Sequence, residues 1–343
     1  MSGFLDDDQL SNERHCTIVA GSWQTTLTVE QIAAIVSGMQ EESMVRPFDG
    51  SLRDAEGLLA VEKATFNESP YTAQQVQAML SGDAQRAWLA TGEGRVVGFV
   101  VAFLTRGLRG SCWEIDLLAV HPEWTRRGLA TRLIRAASSH GGQVADRARG
   151  VVSTENPGSA RAFERAGFRP SGQCELVVFR PEDGMPRPWH ALGVKIRKAR
   201  DAKDMEECAR EAGWPPSNAG PSGSEDWGSW TLLVAELRGK FAGFAELSEV
   251  QTLLYRGMWI ESLFASRRVV RIALAHDALT YAVAAGMEEI GMMVPVADHS
   301  LRVALKEIGF RSLGRFDWYE ALLPLGSETL PDTGTGHPGG NCV

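Results

Sequence analysis

A short basic loop with small residues stands between an apolar stretch and a helical pattern. The segment reads Trp113-Glu-Ile-Asp-Leu-Leu-Ala-Val-His-Pro-Glu-Trp-Thr-Arg-Arg-Gly-Leu-Ala130, which predicts a strand, a loop and the start of a helix. Arg126 and Arg127 bring positive charge to this helix start, where unpaired backbone N–H groups and the helix dipole favour an anion. Gly128 lets a phosphate approach the backbone closely. The pattern predicts a pyrophosphate-binding site.

Two carboxylates stand on the strand that leads into this loop. Glu114 and Asp116 are two residues apart, so in a regular strand they share one face. A carboxylate at such a place can take a proton from an attacking ammonium group. Each is therefore a candidate general base, and a hydrogen-bonded carboxylate of the sheet is the alternative role. His190 is a third candidate base, with an inert linker histidine as its alternative.

The elements around this loop occur twice along the chain. In each half, a strand–turn–strand pattern precedes a strand, a helix, a short strand, a second helix and a closing strand. Asn156 and Gly167 recur as Asp298 and Gly309, each 142 positions later. This period is too long for a solenoid and indicates a duplicated domain.

The predicted fold is therefore of the α/β class, with a mixed sheet. We expect a leader with one helix (Thr28 to Met39) over residues 1–44, a first domain over 45–180, a proline-rich linker over 181–193, a second domain over 194–323 and a flexible tail over 324–343. The two domains are called the first half and the second half below.

The first half resembles the GNAT superfamily of acyl-CoA-dependent N-acyltransferases. Residues 118–130 are similar to its acyl-CoA motif, Q/R-x-x-G-x-G/A after a Leu-Ala-Val-x-Pro strand, and residues 156–168 to its second signature. Gly98 falls where the family often has a hairpin glycine. The resemblance covers most of residues 45–179 and implies two tandem GNAT-like domains. It also implies acetyl-CoA or a longer acyl-CoA as donor, without a metal.

The resemblance further implies which residues hold CoA. They are Leu118, Ala119, Val120, Thr125, Arg126, Arg127, Gly128, Leu129, Ala130, Thr131, Asn156, Ser159 and Phe163. Asn156 has a helix N-cap as its alternative role. Thr125 departs from the Arg or Gln that is usual in the family. Phe163 stands where many members have a tyrosine that serves as general acid, which puts that acid in doubt, although the CoA thiolate is a good leaving group.

The loop of the second half departs further from the motif. Residues 265–273 contain no glycine and carry β-branched Val269 and Val270 where the backbone should approach phosphate. We expect a degenerate copy that no longer binds CoA. The alternative is a second CoA site, held by Arg267, Arg268 and Arg271.

The second half then contributes to the acceptor site. Glu261 occupies the position that Asp116 has in the first half, and Trp189 lies in the linker between the halves. Both are candidate acceptor-binding residues, with a leftover polar residue and interface packing as the alternatives. Acidic groups at this place would favour an acceptor that carries an ammonium group.

Together these features predict an N-acyltransferase that acts by direct attack in a ternary complex. The acceptor would be a small-molecule amine, such as an amino sugar of a secondary metabolite in antibiotic biosynthesis, as for the glycopeptide-antibiotic glucosamine N-acyltransferases. The alternatives are an acetyltransferase similar to mycothiol synthase, a GNAT-fold malonyl-CoA decarboxylase and a non-catalytic acyl-CoA-binding module.

Composition argues against several other classes. A net charge of −8 disfavours a binder of nucleic acid, and the longest apolar run, residues 96–104, is too short to span a membrane. Five scattered cysteines indicate neither a disulfide framework nor a zinc site. The acidic first residues have no signal-peptide pattern, so the expected location is the cytoplasm. The oligomeric state stays open.

Overall fold

The fold is taken from a computed structural model, which describes residues 15–20, 23–28, 43–66, 69, 71–82, 85–184, 192–214, 230–253 and 256–323. Its strands are β1 (His15–Ala20), β2 (Trp23–Thr28), β3 (Met44–Pro47), β4 (Gln85–Gly92), β5 (Arg95–Gly107), β6 (Gly110–Val120), β7 (Arg147–Ser153), β8 (Arg169–Phe179), β9 (Val194–Lys198), β10 (Trp230–Leu237), β11 (Lys240–Gln251), β12 (Arg256–Ala265), β13 (Glu289–Pro295) and β14 (Arg311–Leu322). Its helices are α1 (Leu52–Thr65), α2 (Ala73–Leu80), α3 (Leu129–Gly141), α4 (Pro157–Ala166), α5 (Ala202–Glu211), α6 (Arg268–Ala284) and α7 (His299–Glu307).

The start of the chain contains a strand pair that the sequence analysis did not predict. β1 and β2 are antiparallel, with His15 opposite Thr28. They belong to a compact unit, Met1–Met44, and the rest of the chain forms a second unit, Val45–Val343. The helix predicted from Thr28 to Met39 lies outside the described residues, apart from Thr28 itself.

The second unit is built on a mixed 12-stranded sheet. The strand order is β3-β4-β5-β6-β7-β14-β8-β13-β12-β11-β10-β9. Strand pairs β6–β7 and β12–β13 are parallel, and the other pairs with a described register are antiparallel. The α/β class with a mixed sheet is thus as predicted.

The two halves exchange their closing strands. β14, from the second half, lies between β7 and β8 of the first half. β8 in turn lies between β14 and β13, so it pairs with two strands of the second half. Each half therefore completes the sheet of the other.

Helices cover both faces of the sheet because neighbouring strand residues point to opposite sides. In β5, Phe99 and Val101 pack with α1 and α2, whereas Val100 packs with α3 on the other face. The apolar positions of α3, Leu133 and Ile134 among them, are fully buried in this second layer. The second half repeats the arrangement with α5 on one face and α6 and α7 on the other.

The turn of each half also reaches the helices of the other half. Leu108, between β5 and β6, packs with Cys208 of α5, and Leu253, after β11, lies in the core under α1 and α2. The Gln85 side chain donates a hydrogen bond to the Gln251 carbonyl at 3.0 Å. The halves therefore share buried contacts as well as a sheet.

Candidate functional site

The parallel strands of the first half diverge and open a cleft. Ile115 and Gly150 are the last paired residues of β6 and β7, and β6 then continues to Val120 paired with β5. A register shift against β5 leaves Asp116 as the extra residue of a β-bulge at the point of divergence. Such bulges re-aim side chains and are frequent beside active sites. The bulge also breaks the regular alternation from which the sequence placed Glu114 and Asp116 on one face.

The basic loop ends in a helix start that is open to an anion. Gly128 is the N-cap of α3 with φ +76°, and the helix has no side-chain cap. A Cβ atom built on Gly128 would meet no atom within 4 Å. Arg126 also has a positive φ, +63°, and its side chain is exposed. Free N–H groups of the first turn, open space and a nearby cation are what a pyrophosphate requires.

The second basic residue of the loop is held by its neighbours. The Arg127 guanidinium lies 4.4 Å from the ring centroid of Trp124 and donates to the Glu123 carbonyl at 3.3 Å. Thr125 donates to the Pro122 carbonyl at 2.9 Å, so its hydroxyl closes the turn before the helix.

The remaining donor-site candidates lie along the cleft and on α4. Leu118, Ala119 and Val120 lie on the part of β6 that still pairs with β5 but no longer with β7. Leu129, Ala130 and Thr131 form the first turn of α3. The Asn156 side chain caps α4 by accepting from the backbone N–H of Ser159 at 3.0 Å. The capping role is thus visible, and it holds the Asn156 carboxamide in one orientation.

Phe163 lies in the core rather than on a surface. Its ring packs edge-on against Phe168, with 5.1 Å between the ring centroids. It also contacts the tilted ring of Tyr319 on β14, with 5.6 Å between the centroids. Gly150 leaves room for it, because a Cβ there would lie 2.3 Å from the ring. Phe163 therefore contributes to core packing and has no hydroxyl group that could donate a proton.

Glu114 is bound to an arginine that the sequence analysis did not single out. Arg149, on β7, donates to Glu114 through Nε at 2.8 Å and through Nη2 at 2.7 Å, and Thr105 donates to the same carboxylate at 2.8 Å. Nη2 of Arg149 also donates to Glu261 at 2.9 Å. This buried triad of charges joins β6 and β7 of the first half to β12 of the second.

The surroundings give the carboxylates different proton affinities. Burial would raise the pKa of Glu114, but the charge and hydrogen bonds of Arg149 outweigh it and hold that pKa below its ordinary value. Burial raises the pKa of Asp116 from 3.8 to about 7, and the charge of Glu114 adds to the increase. One carboxylate oxygen of Asp116 is buried without a hydrogen-bond partner. Of the two candidate carboxylates on β6, Asp116 is the one whose pKa is raised towards neutral pH.

A cavity of about 630 Å³ opens between the halves. Its walls are the β5–β6 turn, β7 and β14 on one side, and α5, β12 and β13 on the other. Glu261 and Trp214 line it, and it extends to Thr105 and Arg149, the partners of Glu114. Asp116 does not line the cavity and is two residues beyond Glu114 along β6. The volume is in the range of small-molecule sites.

The corresponding loop of the second half is closed by internal ion pairs. Arg268 pairs with Glu307, and Arg271 donates to Asp298 and to the Ala265 carbonyl, both at 2.7 Å. The N-cap of α6, Arg267, has an extended φ of −111°. These contacts neutralise two of the three cations that a second CoA site would need, Arg268 and Arg271.

Two of the predicted site residues, His190 and Trp189, lie outside the described residues. Among the described residues, no group of three or more His, Cys, Asp or Glu side chains is arranged to hold a metal ion. None of the helices in this part of the chain is long and apolar enough to cross a membrane.

Known proteins share this architecture. Residues 53–168 match the sequence profile of the "Acetyltransferase (GNAT) family". A GCN5-related N-acetyltransferase from Sphaerobacter thermophilus superposes with a TM-score of 0.55 at 19% identity, over 82% of this chain and 95% of that one. The chain has the GNAT fold. A tandem GNAT protein from the clavulanic acid biosynthesis pathway has a TM-score of 0.50 at 15% identity, over 84% of this chain and all of the other.

A third GNAT-fold structure comes from a longer fungal protein. It is a GCN5-related glucosamine N-acetyltransferase region in a multi-domain GH3 β-N-acetylglucosaminidase, with a TM-score of 0.53 at 14% identity. The match covers 82% of this chain and 38% of that chain. The tandem GNAT structure fits the predicted architecture of two tandem GNAT-like domains.

The residues that the sequence analysis missed are the arginines of β7. Arg147 and Arg149 alternate with apolar or small residues in a predicted strand region, and both line the cavity. Cations inside a sheet strand are rare unless they are paired or functional. That signal was present in the sequence, but their carboxylate partners are far away along the chain.

Proposed function

We propose that the first half transfers an acyl group from acyl-CoA to the amine of a small molecule. The observation that carries this is Asp116, a carboxylate with a pKa of about 7, at the divergence of β6 and β7 and on the strand that leads to the open N-terminus of α3. A base whose pKa is close to neutral is suited to remove a proton from an ammonium group.

The donor fits the residues present. The open first turn of α3 and the exposed Arg126 would bind the pyrophosphate, and the edge of β6 over residues 118–120 would bind the pantetheine arm. CoA supplies the thioester. The second half, with Arg268 and Arg271 in ion pairs, is a degenerate copy in this proposal.

The reaction is a direct transfer. Asp116 takes a proton from the ammonium group of the acceptor, and the free amine then attacks the thioester carbon. A C–N bond forms, the C–S bond breaks, and the thiolate of CoA leaves with the electron pair, while the nitrogen releases its second proton to solvent. Because Phe163 is a core residue without a hydroxyl, protonation of the thiolate falls to solvent or to another group.

The acceptor occupies the cavity between the halves in this proposal, with Glu261 in its wall. Its amine extends past Thr105 towards Asp116. The wall contains Trp214, Trp318 and Phe264, which suit a large or partly apolar molecule. Two proteins of similar fold support an amino sugar of a secondary metabolite as acceptor. One is a glucosamine N-acetyltransferase region, and the other is a tandem GNAT protein from the clavulanic acid biosynthesis pathway.

Substitution of the helix-capping glycine tests the donor site. Gly128→Ala is expected to weaken CoA binding about tenfold, because an L-residue in the left-handed region costs on the order of 1–2 kcal/mol and strains the backbone that meets the phosphates. Calorimetry gives the affinity, and one CoA per chain is the expected stoichiometry. Gly239→Ala is the matched control, with φ +77° and open space at the β10–β11 turn of the second half. If Gly128→Ala binds CoA as the wild type does, the phosphates lie elsewhere.

Release of free thiol from acetyl-CoA tests the activity itself. The full chain with a panel of primary amines, including amino sugars, is expected to release thiol only when an acceptor is present. A non-catalytic binding module would bind CoA and release none. Release of carbon dioxide from malonyl-CoA without an acceptor would instead indicate the decarboxylase.

A further inference from the structure

We propose that the acceptor carries, besides its amine, a carboxylate or phosphate group that pairs with Arg147 in the cavity. This inference rests on the proposed function and deepens it, because it names the chemical class of the acceptor. It also changes an expectation from the sequence, in which acidic groups at this place would select an acceptor by its ammonium group alone.

The cavity contains as many cations as anions. Its charged lining residues are Arg106, Arg109, Arg147, Arg149, Arg210, Glu211, Glu246, Glu261, Asp298 and Glu320. The site is therefore not an acidic cavity, and its preference depends on which of these charges are already compensated within the protein.

Most of the acids have internal partners. Asp298 accepts from Arg271 at 2.7 Å, and Glu211 lies 3.8 Å from Arg210. Glu246 accepts three hydrogen bonds, from the Leu108 N–H, the Trp230 indole and the Ser262 hydroxyl, at 2.6–3.0 Å. Burial raises the pKa of Glu246, while these hydrogen bonds and the charge of Arg147 act against the increase. Glu261 is paired with Arg149, as described above.

Arg147 is different because it forms no hydrogen-bonded ion pair: the charge of Glu246 acts on it, but that carboxylate is bound by three other donors. Its Nε and Nη1 atoms are buried and have no hydrogen-bond partner, and none of the described carboxylates forms an ion pair with it. Glu320 lies on β14, two residues from Leu322, which is opposite Arg147, and it makes no ion pair with this guanidinium. Arg147 is half-buried, and a cation whose buried N–H groups make no hydrogen bond is costly, so an anionic ligand group would gain most at this position.

The strand register gives the approximate span of such a ligand. Cys112 of β6 is opposite Arg147 of β7, and Asp116 is four residues further along the parallel strand. At about 3.3 Å per residue, this is about 13 Å along the strand, part of which the arginine side chain covers. The amine and the anionic group of the acceptor should therefore be on the order of 10 Å apart, the length of about three extended residues.

The test uses amines that differ only in an anionic group. Triglycine is compared with triglycinamide, and D-glucosamine 6-phosphate with D-glucosamine, by thiol release from acetyl-CoA. For at least one pair, kcat/KM is expected to be about tenfold or more higher for the anionic member, as hydrogen bonds between charged groups allow. The two pairs distinguish a carboxylate from a phosphate.

Arg147→Met removes the cation and keeps an apolar side chain of similar length. It should reduce the anionic-to-neutral ratio of kcat/KM to about one and should not lower the thermal midpoint, since it removes a cation whose buried N–H groups make no hydrogen bond. Arg256→Met, which removes an exposed arginine outside the cavity, is the charge-matched control and should keep the ratio. If the neutral amines are used equally well by the wild type, or if Arg147→Met keeps the preference, the inference is wrong.

A failure of the proposed function gives a different result. In that case none of the amines releases thiol, and calorimetry with the same four compounds tests the cavity directly. Binding of an anionic probe that Arg147→Met loses and Arg256→Met keeps supports the anion site. If neither anionic probe binds more tightly than its neutral counterpart, the anion site is absent.

Discussion

Replacement of Asp116 by asparagine is expected to lower kcat by about 100- to 10,000-fold, the usual contribution of a general base. Affinity for CoA should stay within about twofold, because the phosphates are bound at the other end of the strand and loop. Turnover is measured by thiol release and affinity by calorimetry. Asp277→Asn, at an exposed carboxylate of α6, is the control and should retain full turnover. A kcat within about fivefold of the wild type would assign the base to another group, with His190 as the remaining candidate.

The pH dependence follows from the raised pKa of Asp116. Burial raises this pKa to about 7, so the carboxyl is protonated and inactive as a base at pH 6. Activity per enzyme should therefore rise with pH through about 7, and Asp116→Asn should lose this transition.

The raised pKa of Asp116 also makes the stability of the protein depend on pH, and stability falls over the range in which activity rises. The folded state holds the proton up to about pH 7, whereas the unfolded chain releases it near 3.8, so this group lowers stability as pH rises between these values. The asparagine variant should lack that decrease. The variant should thus be at least as stable as the wild type at pH 8, which separates a lost base from a misfolded protein.

The geometry of the proposed donor loop was predictable because its determinants are local. Arg126, Arg127 and Gly128 are adjacent in the sequence, and a helix start with a left-handed glycine follows from their types and from the apolar pattern after them. The choice between Glu114 and Asp116 could not be made in this way. Arg149 pairs with Glu114, which favours Asp116 in the proposed function, and no local spacing shows which carboxylate a distant arginine will contact.

The exchange of closing strands was equally invisible. The closing strand of the first half, β8, begins at Arg169 because β14 extends the pairing over the polar residues before Cys174. Those residues lack the apolar alternation that signals a strand. Strand periodicity shows that a segment is extended, but the partner of the strand depends on contacts across the whole chain.

Removal of β14 is expected to unfold both halves. A chain that ends at residue 310 would leave the facing edges of β7 and β8 without their common neighbour. It would also lose Tyr319, which is 4% exposed and packs on Phe163 in the core of the first half. Loss of one such aromatic side chain costs about 3–5 kcal/mol, a large part of the roughly 5–15 kcal/mol that stabilises a domain. Circular dichroism and urea unfolding measure the result, and a chain that ends at residue 323 is the folded control.

The exchange also makes a prediction for the first half alone. Residues 45–180 contain every donor-site residue but no strand for the place between β7 and β8, so this fragment should be unfolded and should not bind CoA. Co-expression with residues 181–323 as a second chain should restore both properties, because β14 can enter the sheet without a covalent link. If the fragment alone folds and binds CoA, the exchanged strand is not needed for the donor site. If the second chain is required, the second half has two roles: it completes the fold of the first half, and it contributes to the proposed acceptor site.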